Sequence, residues 1–163
     1  MVSAERLDAS RFGFDSSCFV CDDRNPRGLR VPFFCDADAG LVFADFDLPA
    51  EFSGAPTLVH GGVTLALVDE AMSWATIALS QRFAYTQKLE VEFQWSVRLG
   101  QPYRVEARIA APGERRITTA ATVTDSKGRP CVTASATMAV LDLGQASEAT
   151  GTEVGDVDRK FVR

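Results

Sequence analysis

Residues 58–72, LVHGGVTLALVDEAM, combine the only histidine of the chain with two glycines and two acidic residues. Gly61 and Gly62 lack a Cβ atom, so a carbonyl group can approach the first N–H groups of a helix that begins there. The positive end of the helix dipole would stabilise negative charge on the carbonyl oxygen. A carboxylate such as Asp69, partly removed from water, can act as a general base on water or attack the carbonyl directly. The segment therefore predicts attack on an acyl group, with the Gly61 N–H as hydrogen-bond donor.

The spacing of these residues places them far apart on one helix. Gly61 and Asp69 are eight residues apart, which corresponds to about 12 Å at a rise of about 1.5 Å per residue. A base and the donors to an oxyanion must both lie within roughly 3 Å of the reacting group. A two-fold antiparallel dimer would place Asp69 of one helix beside Gly61 of the other, twice over. The spacing predicts a homo-oligomer with an active site shared between subunits.

Each of these residues also has an ordinary structural explanation. A histidine before a helix is often a cap, paired glycines often mark a turn, and acidic residues within helices commonly face solvent. The remainder of the helix is apolar, however, and an unpaired buried carboxylate is costly. The combination favours a function for at least one of Asp69 and Glu70, and Glu70 can simply face solvent.

Hydrophobic periodicity predicts an α+β fold around this segment. Alternation indicates a strand at 41–47, a loop follows at 49–56, and the helix begins near Gly61. After the helix, Leu89, Val91, Phe93 and Trp95 share one face of a strand. Three further strands are predicted to form an antiparallel meander, and one economical arrangement wraps the curled sheet around the helix. These strands are at 103–110, 117–124 and 131–141.

Composition limits the classes of function. A chain of 163 residues with 46% apolar residues can bury one sizeable core, which we assign to a single domain at 12–141 with flexible tails at 1–11 and 142–163. A net charge of −5 opposes nucleic-acid binding. Neither a secretory signal nor a comfortable membrane span is apparent, because Asp69 and Glu70 interrupt the longest apolar stretch. We expect a cytoplasmic protein without membrane or nucleic-acid partners.

The four cysteines allow several interpretations. Cys18 and Cys21 form a CxxC pair that could begin a zinc site or a redox motif, but Cys35 and Cys131 are isolated in the sequence. Pro26 and a nearby glycine favour a loop over the helix start that redox pairs use. Buried, reduced thiols are the favoured interpretation, and no metal ligand is assigned.

Three motifs together resemble a known family. The His60-Gly61-Gly62 motif, the acid nine positions after its histidine, and the segment YTQKLEVEFQWSVRLGQPYRVEARI (85–109) are similar to hotdog-fold acyl-CoA thioesterases of the phenylacetyl-CoA and hydroxybenzoyl-CoA type. The segment CFVCDDRNPRGL (18–29) resembles the CxxCG…NPxGL opening of one bacterial branch. The resemblance runs from about Cys18 to Leu141. It implies a hotdog fold, an antiparallel curved sheet around one central helix, assembled as a dimer or a dimer of dimers.

The resemblance also implies roles for individual residues. It implies hydrolysis of an acyl-CoA thioester to free acid and CoA, with no cofactor, in which the Gly61 N–H polarises the carbonyl and Asp69 of the partner subunit is base or nucleophile. His60 would orient the thioester or the carboxylate. Thr86 would position the attacking water, although it can equally be an ordinary strand residue. The residues assigned to substrate binding are Gly62, Glu70, Arg115 and Arg116, with Arg98 and Lys88 as further compositional candidates for the CoA phosphates.

Departures from the family pattern keep two alternatives open. Relatives often carry an asparagine six positions before the histidine, and Gly54 stands there in this chain. A hotdog protein that binds acyl-CoA without hydrolysing it, as a sensor does, is one alternative. A hotdog dehydratase is the other, with His60 as the base that removes a proton next to a carbonyl. The HGG motif with Asp69 favours attack by water.

Overall fold

The computed structural model describes residues 4–153, which form one long helix, a short second helix and nine strands. The helices are α1 (Gly61–Ser80) and α2 (Leu143–Thr150). Short 3₁₀ turns lie at Ala9–Phe12 and Ala50–Phe52. The strands are β1 (Glu5–Arg6), β2 (Phe34–Asp36), β3 (Leu41–Phe46), β4 (Ser53–Ala55), β5 (Leu58–Val59), β6 (Ala84–Phe93), β7 (Tyr103–Ala111), β8 (Arg116–Asp125) and β9 (Pro130–Val140).

Seven of these strands form one antiparallel sheet in the order β1-β2-β3-β7-β8-β9-β6. Strands β7, β8 and β9 form the predicted meander, with Val105 paired to Val123 and Val123 paired to Val132. Strand β6 joins the far side of β9, where Val91 pairs with Ala134. Since β6 has a partner on one side only, it leaves a free edge ten residues long within the described part of the chain.

Helix α1 supplies the central contact of the core. It contacts β3, β6, β7, β8 and β9, so the sheet packs around it. Its length and apolar composition alone would suffice to cross a membrane, but the core helix of a soluble protein has the same properties. The sheet and the helix confirm the predicted α+β architecture. The buried helix residues are Thr64, Leu67, Val68, Ala71, Met72, Trp74, Ala75 and Thr76.

The ends of α1 follow from local sequence. His60 is the N-cap, in extended conformation, and its side chain accepts a hydrogen bond from the Gly62 N–H. Gln81 is the C-cap and lies in the left-handed region with φ 53°, which ends the helix. The prediction that the helix begins near Gly61 is confirmed.

Two segments assigned to flexible tails instead carry secondary structure. Glu5–Arg6 pairs with β2, and Leu143–Thr150 forms α2. A capping box between Asp142 and Gln145 stabilises the start of α2, and buried Ala146 packs it against the domain. Secondary structure therefore extends beyond 12–141 at both ends. Residues 1–3 and 154–163 of these tails lie outside the described residues.

The predicted loop at 49–56 is also partly structured. It contains a 3₁₀ turn and β4, which pairs with β5 in a small separate sheet. This hairpin is short and its strand β4 is exposed, so it shows little of the apolar alternation by which strands are recognised. The second strand of the hairpin, β5, ends at Val59, immediately before His60.

Candidate active site at the start of helix α1 and the edge of the sheet

The start of α1 presents one backbone donor without an acceptor. His60 Nδ1 accepts from the Gly62 N–H at 2.9 Å, and His60 O accepts from the Val63 and Thr64 N–H groups. Within residues 4–153 the Gly61 N–H has no hydrogen-bond partner, and Gly61 is exposed. The first amide of the helix is therefore free to donate to a ligand oxygen.

The cap fixes the proton position on His60. Because Nδ1 accepts a hydrogen bond, a neutral imidazole carries its proton on Nε2. The His60 side chain is exposed, so Nε2–H can donate to a ligand bound over the glycines. The structure thus places His60 and Gly61 together as two donors and gives the Gly62 amide to the cap.

Gly54 lies against the same histidine. A Cβ atom at position 54 would lie 2.8 Å from His60 Cα and 3.2 Å from His60 Cβ. Backbone contacts this short require the chain to shift, so an asparagine would not fit here without moving His60. The departure from the family pattern at Gly54 therefore has a steric reason.

Asp69 lies in the middle of α1 and faces β6. The Thr86 hydroxyl donates to Asp69 Oδ1 at 2.6 Å, and both side chains are partly buried. A hydroxyl donor this close orients the carboxylate while leaving its second oxygen for another partner. The predicted catalytic pair Asp69 and Thr86 is therefore brought together in one chain.

A β-bulge in β6 explains the inward position of Thr86. Strict alternation would place Thr86 on the same face as Lys88 and Glu90, which is exposed. The register shifts between Thr86, opposite Met138, and Lys88, opposite Thr137. The extra residue turns Thr86 to the inner side, and bulges are frequent beside active sites for this reason.

The two halves of the predicted site lie near opposite ends of β6. Thr86, close to its start, holds Asp69. Phe93, its last residue, has its ring tip 3.8 Å from where a Cβ atom of Gly61 would lie. Large apolar side chains are about half exposed at this strand or just after it, at Tyr85, Phe93 and Trp95.

Glu70 lies in different surroundings from those we predicted. Its Oε1 is 3.3 Å from Cys18 Sγ, and its side chain is partly buried, so it does not face solvent. Burial, then the charge on Cys18, raises the pKa of Glu70 to about 8. A hydrogen bond from Cys21, despite the opposing effect of burial, lowers the pKa of Cys18 to about 5. The prediction that Glu70 faces solvent is wrong, because its side chain belongs to a partly buried cluster with Cys18 and Cys21.

Sequence reasoning missed this cluster as a unit. It treated the CxxC pair as a loop with reduced thiols and examined other cysteines as its partners, whereas the partner is an acid 52 positions away. The only signal in the sequence was the coincidence of a CxxC pair with an acid inside an apolar helix.

The two arginines assigned to substrate binding lie near the start of β6. Arg116 Nε donates to Gln87 Oε1 at 3.0 Å, and exposed Arg115 lines a cavity with Arg116, Tyr85 and Gln87. Of the further basic candidates, Lys88 pairs with Glu90 at 2.9 Å. The arginines thus lie beside Gln87, the residue that follows Thr86, and like Gln87 they are exposed.

Comparison with known proteins agrees with this arrangement. The family model of the thioesterase superfamily matches residues 57–132, which include the start of α1, Asp69 and Thr86. No curated protein sequence matches the chain.

Several solved structures share the fold. A crystal structure described as a thioesterase superfamily protein has 25% identity and a TM-score of 0.66, with 71% of this chain covering 56% of that protein. The smu.793 protein from Streptococcus mutans UA159, bound to acetyl CoA, has 22% identity and a TM-score of 0.59, with 62% of this chain covering 81% of that one. The E. coli PaaI protein from the phenylacetic acid degradation operon has 16% identity and a TM-score of 0.58, with coverage of 63% and 73%.

These comparisons confirm the predicted resemblance at the level of superfamily and fold. The family match covers α1 and strands β5 to β8, and the curved sheet around one long helix is the predicted hotdog fold. The chain spans only 56% of the first of these proteins.

Proposed function

We propose that this protein hydrolyses an acyl-CoA thioester to the free acid and CoA. The observation that carries the proposal is the geometry at β6, whose two ends hold Asp69 with Thr86 and the free Gly61 amide near Phe93. Membership of the matched segment in the thioesterase superfamily and the acetyl CoA bound to the Streptococcus mutans neighbour support the choice of substrate class.

The free edge of β6 supports a shared site. Two copies that pair their β6 strands antiparallel about a two-fold axis would each place the Thr86 end beside the Phe93 end of the other. Asp69 of one subunit would then approach Gly61 of its partner, which one chain alone cannot achieve. The exposed rings of Tyr85, Phe93 and Trp95 supply the apolar area that such an interface needs.

The chemistry follows from these positions. Asp69, oriented by Thr86, removes a proton from water, and the resulting hydroxide adds to the thioester carbonyl. The Gly61 N–H, assisted by the positive end of the helix dipole, donates to the oxyanion. Collapse of the tetrahedral intermediate breaks the C–S bond, and the departing CoA thiolate receives the proton held by Asp69. His60 Nε2–H is placed to orient the acyl group, and Arg115 and Arg116 are candidates for the CoA phosphates. Direct attack by Asp69 would give the same products through an anhydride that water then hydrolyses.

Thiol release from a panel of aliphatic and aryl acyl-CoAs tests the reaction. We expect turnover by the wild-type protein, together with an oligomer in sedimentation velocity. The shared site is tested by mixing Asp69→Ala and Gly61→Val subunits, refolded together. Heterodimers carry one site with both intact residues, so part of the activity should return, whereas each variant alone should stay inactive. Absence of recovery in a mixture shown to form heterodimers would reject the shared site.

Binding without hydrolysis is the second candidate, favoured by Gly54. The contact between Gly54 and His60 leaves no room for the orienting asparagine of relatives, so one polar group is missing from the site. Isothermal titration with a non-hydrolysable acyl-CoA analogue separates the two functions. Tight binding without thiol release from any acyl-CoA in the panel would favour a sensor.

A further inference from the structure

Cys18, Cys21 and Glu70 place three ligand atoms together on the side of α1 that faces the amino-terminal segment. Their two sulfur atoms and one carboxylate oxygen all lie within 4.8 Å of one another, and Cys18 Sγ lies 3.3 Å from Glu70 Oε1. Tetrahedral ligands of zinc are about 3.6 to 3.8 Å apart, given Zn–S bonds of about 2.3 Å and Zn–O bonds of about 2.1 Å. We propose that these three residues bind one Zn²⁺ ion.

The turn that carries the thiols is shaped for a metal-bound sulfur. The Val20 and Cys21 N–H groups donate to Cys18 Sγ at 3.3 and 3.4 Å. Backbone donors to a sulfur favour the thiolate, which is the form that binds metal. The Asn25 side chain donates to Ser17 O at 2.9 Å, and this bond stabilises the turn that contains the two thiols. The Cys18 sulfur is therefore oriented before an ion binds.

The charges around the cluster favour the binding of a cation. Two thiols and a carboxyl group share a partly buried space, and repulsion prevents all three from ionising together unless a cation joins them. The nearby guanidinium groups that line the same cavity are already paired, Arg6 with Asp23 and Arg24 with Asp15 and Asp22. A divalent ion would replace the protons that otherwise keep the cluster from accumulating charge.

The donor set selects the kind of metal. Thiolate ligands favour zinc over magnesium or calcium, which prefer oxygen ligands only. Three protein ligands leave the fourth tetrahedral position to water, and a cavity of about 450 Å³ lined by Cys18, Cys21, Glu70, Ser73 and Trp74 adjoins it. The ion would join the amino-terminal segment to the middle of α1, and the site is independent of the proposed hydrolysis.

Metal titration of the reduced, full-length protein tests this site. The protein is stripped with a chelator, exchanged into thiol-free buffer under nitrogen, and titrated with Zn²⁺. Bound metal is measured by elemental analysis. We expect one zinc per chain, and Co²⁺ in its place should give thiolate-to-metal charge-transfer absorption. Cys18→Ser and Cys21→Ser should abolish that absorption. Glu70→Gln should weaken zinc affinity by at least roughly 10- to 100-fold, because loss of a group that only supports a metal ligand already costs that much.

Matched controls separate the site from adventitious binding. Cys35→Ser and Glu114→Gln remove a thiol and an acid elsewhere, and both should bind zinc as the wild type does. Circular dichroism of each stripped variant shows whether it is folded. The proposal is overturned if the folded wild type shows no charge-transfer absorption with Co²⁺, or if zinc binding survives unchanged in Cys18→Ser, Cys21→Ser and Glu70→Gln. Loss of zinc binding with full thioesterase activity would leave the proposed function intact.

Discussion

Asp69 and Glu70 are consecutive on one helix, yet their side chains meet different parts of the molecule. Asp69 accepts from a hydroxyl on β6, beside the free edge of the sheet. Glu70 lies against two thiols of the amino-terminal segment. Consecutive residues of an α-helix are rotated by about 100°, because about 3.6 residues complete a turn. Adjacent acids of similar chemistry can therefore serve unrelated purposes, and each must be judged by its contacts.

Replacing each acid by its amide gives the sharpest test of this difference. Asp69→Asn should lower kcat for acyl-CoA hydrolysis by about 10²- to 10⁴-fold, because the amide cannot accept a proton from water. Glu70→Gln should keep kcat within a few-fold of wild type. Thiol release under saturating substrate measures both. Equal losses in the two variants would show that the acids act together and would contradict the separation.

The hydroxyl that orients Asp69 should have the next largest effect. Thr86→Val keeps the shape of the side chain and removes its 2.6 Å hydrogen bond to Asp69. Hydrogen bonds to charged groups contribute about 1.5–3 kcal/mol, which corresponds to roughly 10- to 150-fold in kcat. Thr86→Ser, which retains the hydroxyl, is the matched control and should remain within a few-fold of wild type. A Val variant as active as the Ser variant would assign Thr86 to the ordinary packing of a strand.

The thiols beside Glu70 predict a pH dependence on the other side of the helix. In metal-free protein the pKa of Cys18 is lowered to about 5, whereas burial raises the pKa of Cys35 and Cys131. Alkylation of Cys18 should therefore increase as pH rises through about 5 and then level off. At pH 6 Cys18 should be alkylated about 10-fold faster than an ordinary thiol, because its larger thiolate fraction outweighs the weaker nucleophilicity of that thiolate.

Peptide mass spectrometry after timed alkylation identifies which cysteine reacts. Selective labelling of Cys18 at pH 6, suppressed by added Zn²⁺, is the expected result. A Cys18 rate that continues to increase up to pH 9 would contradict the lowered pKa.

Much of the fold was predictable because it depends on periodic burial. The alternation around Val105, Val123 and Val132 encodes the three strands of the meander, and His60 with Gly61 encodes the start of α1. Helix α2 was missed although its signals were present, with Asp142 and Gln145 forming a capping box and Gly151 ending the helix. Its single buried residue, Ala146, produces almost no hydrophobic periodicity.

The candidate site was predictable only in part. The resemblance indicated Asp69, Gly61 and Thr86, and the structure pairs two of them within one chain. Alternation alone would place Thr86 on the exposed face, since a bulge depends on pairing with β9, which the β6 sequence does not specify. The position of Glu70 beside Cys18 depends on a chain path over 52 residues, which no local pattern determines.

The order of strands in the sheet has a practical consequence for the borders of any expressed fragment. Strand β3, before the segment matched by the superfamily, pairs along β7, and its buried Val42 and Ala44 belong to the core. Strand β9 continues eight residues beyond residue 132 and carries fully buried Met138. A fragment trimmed to 57–132 would lose one neighbour of β7 and most of the neighbour of β6, and would expose the core to water. The smallest unit worth producing alone is thus set by the hydrogen-bond ladders, and it runs from β1, which pairs with β2, to beyond Val140.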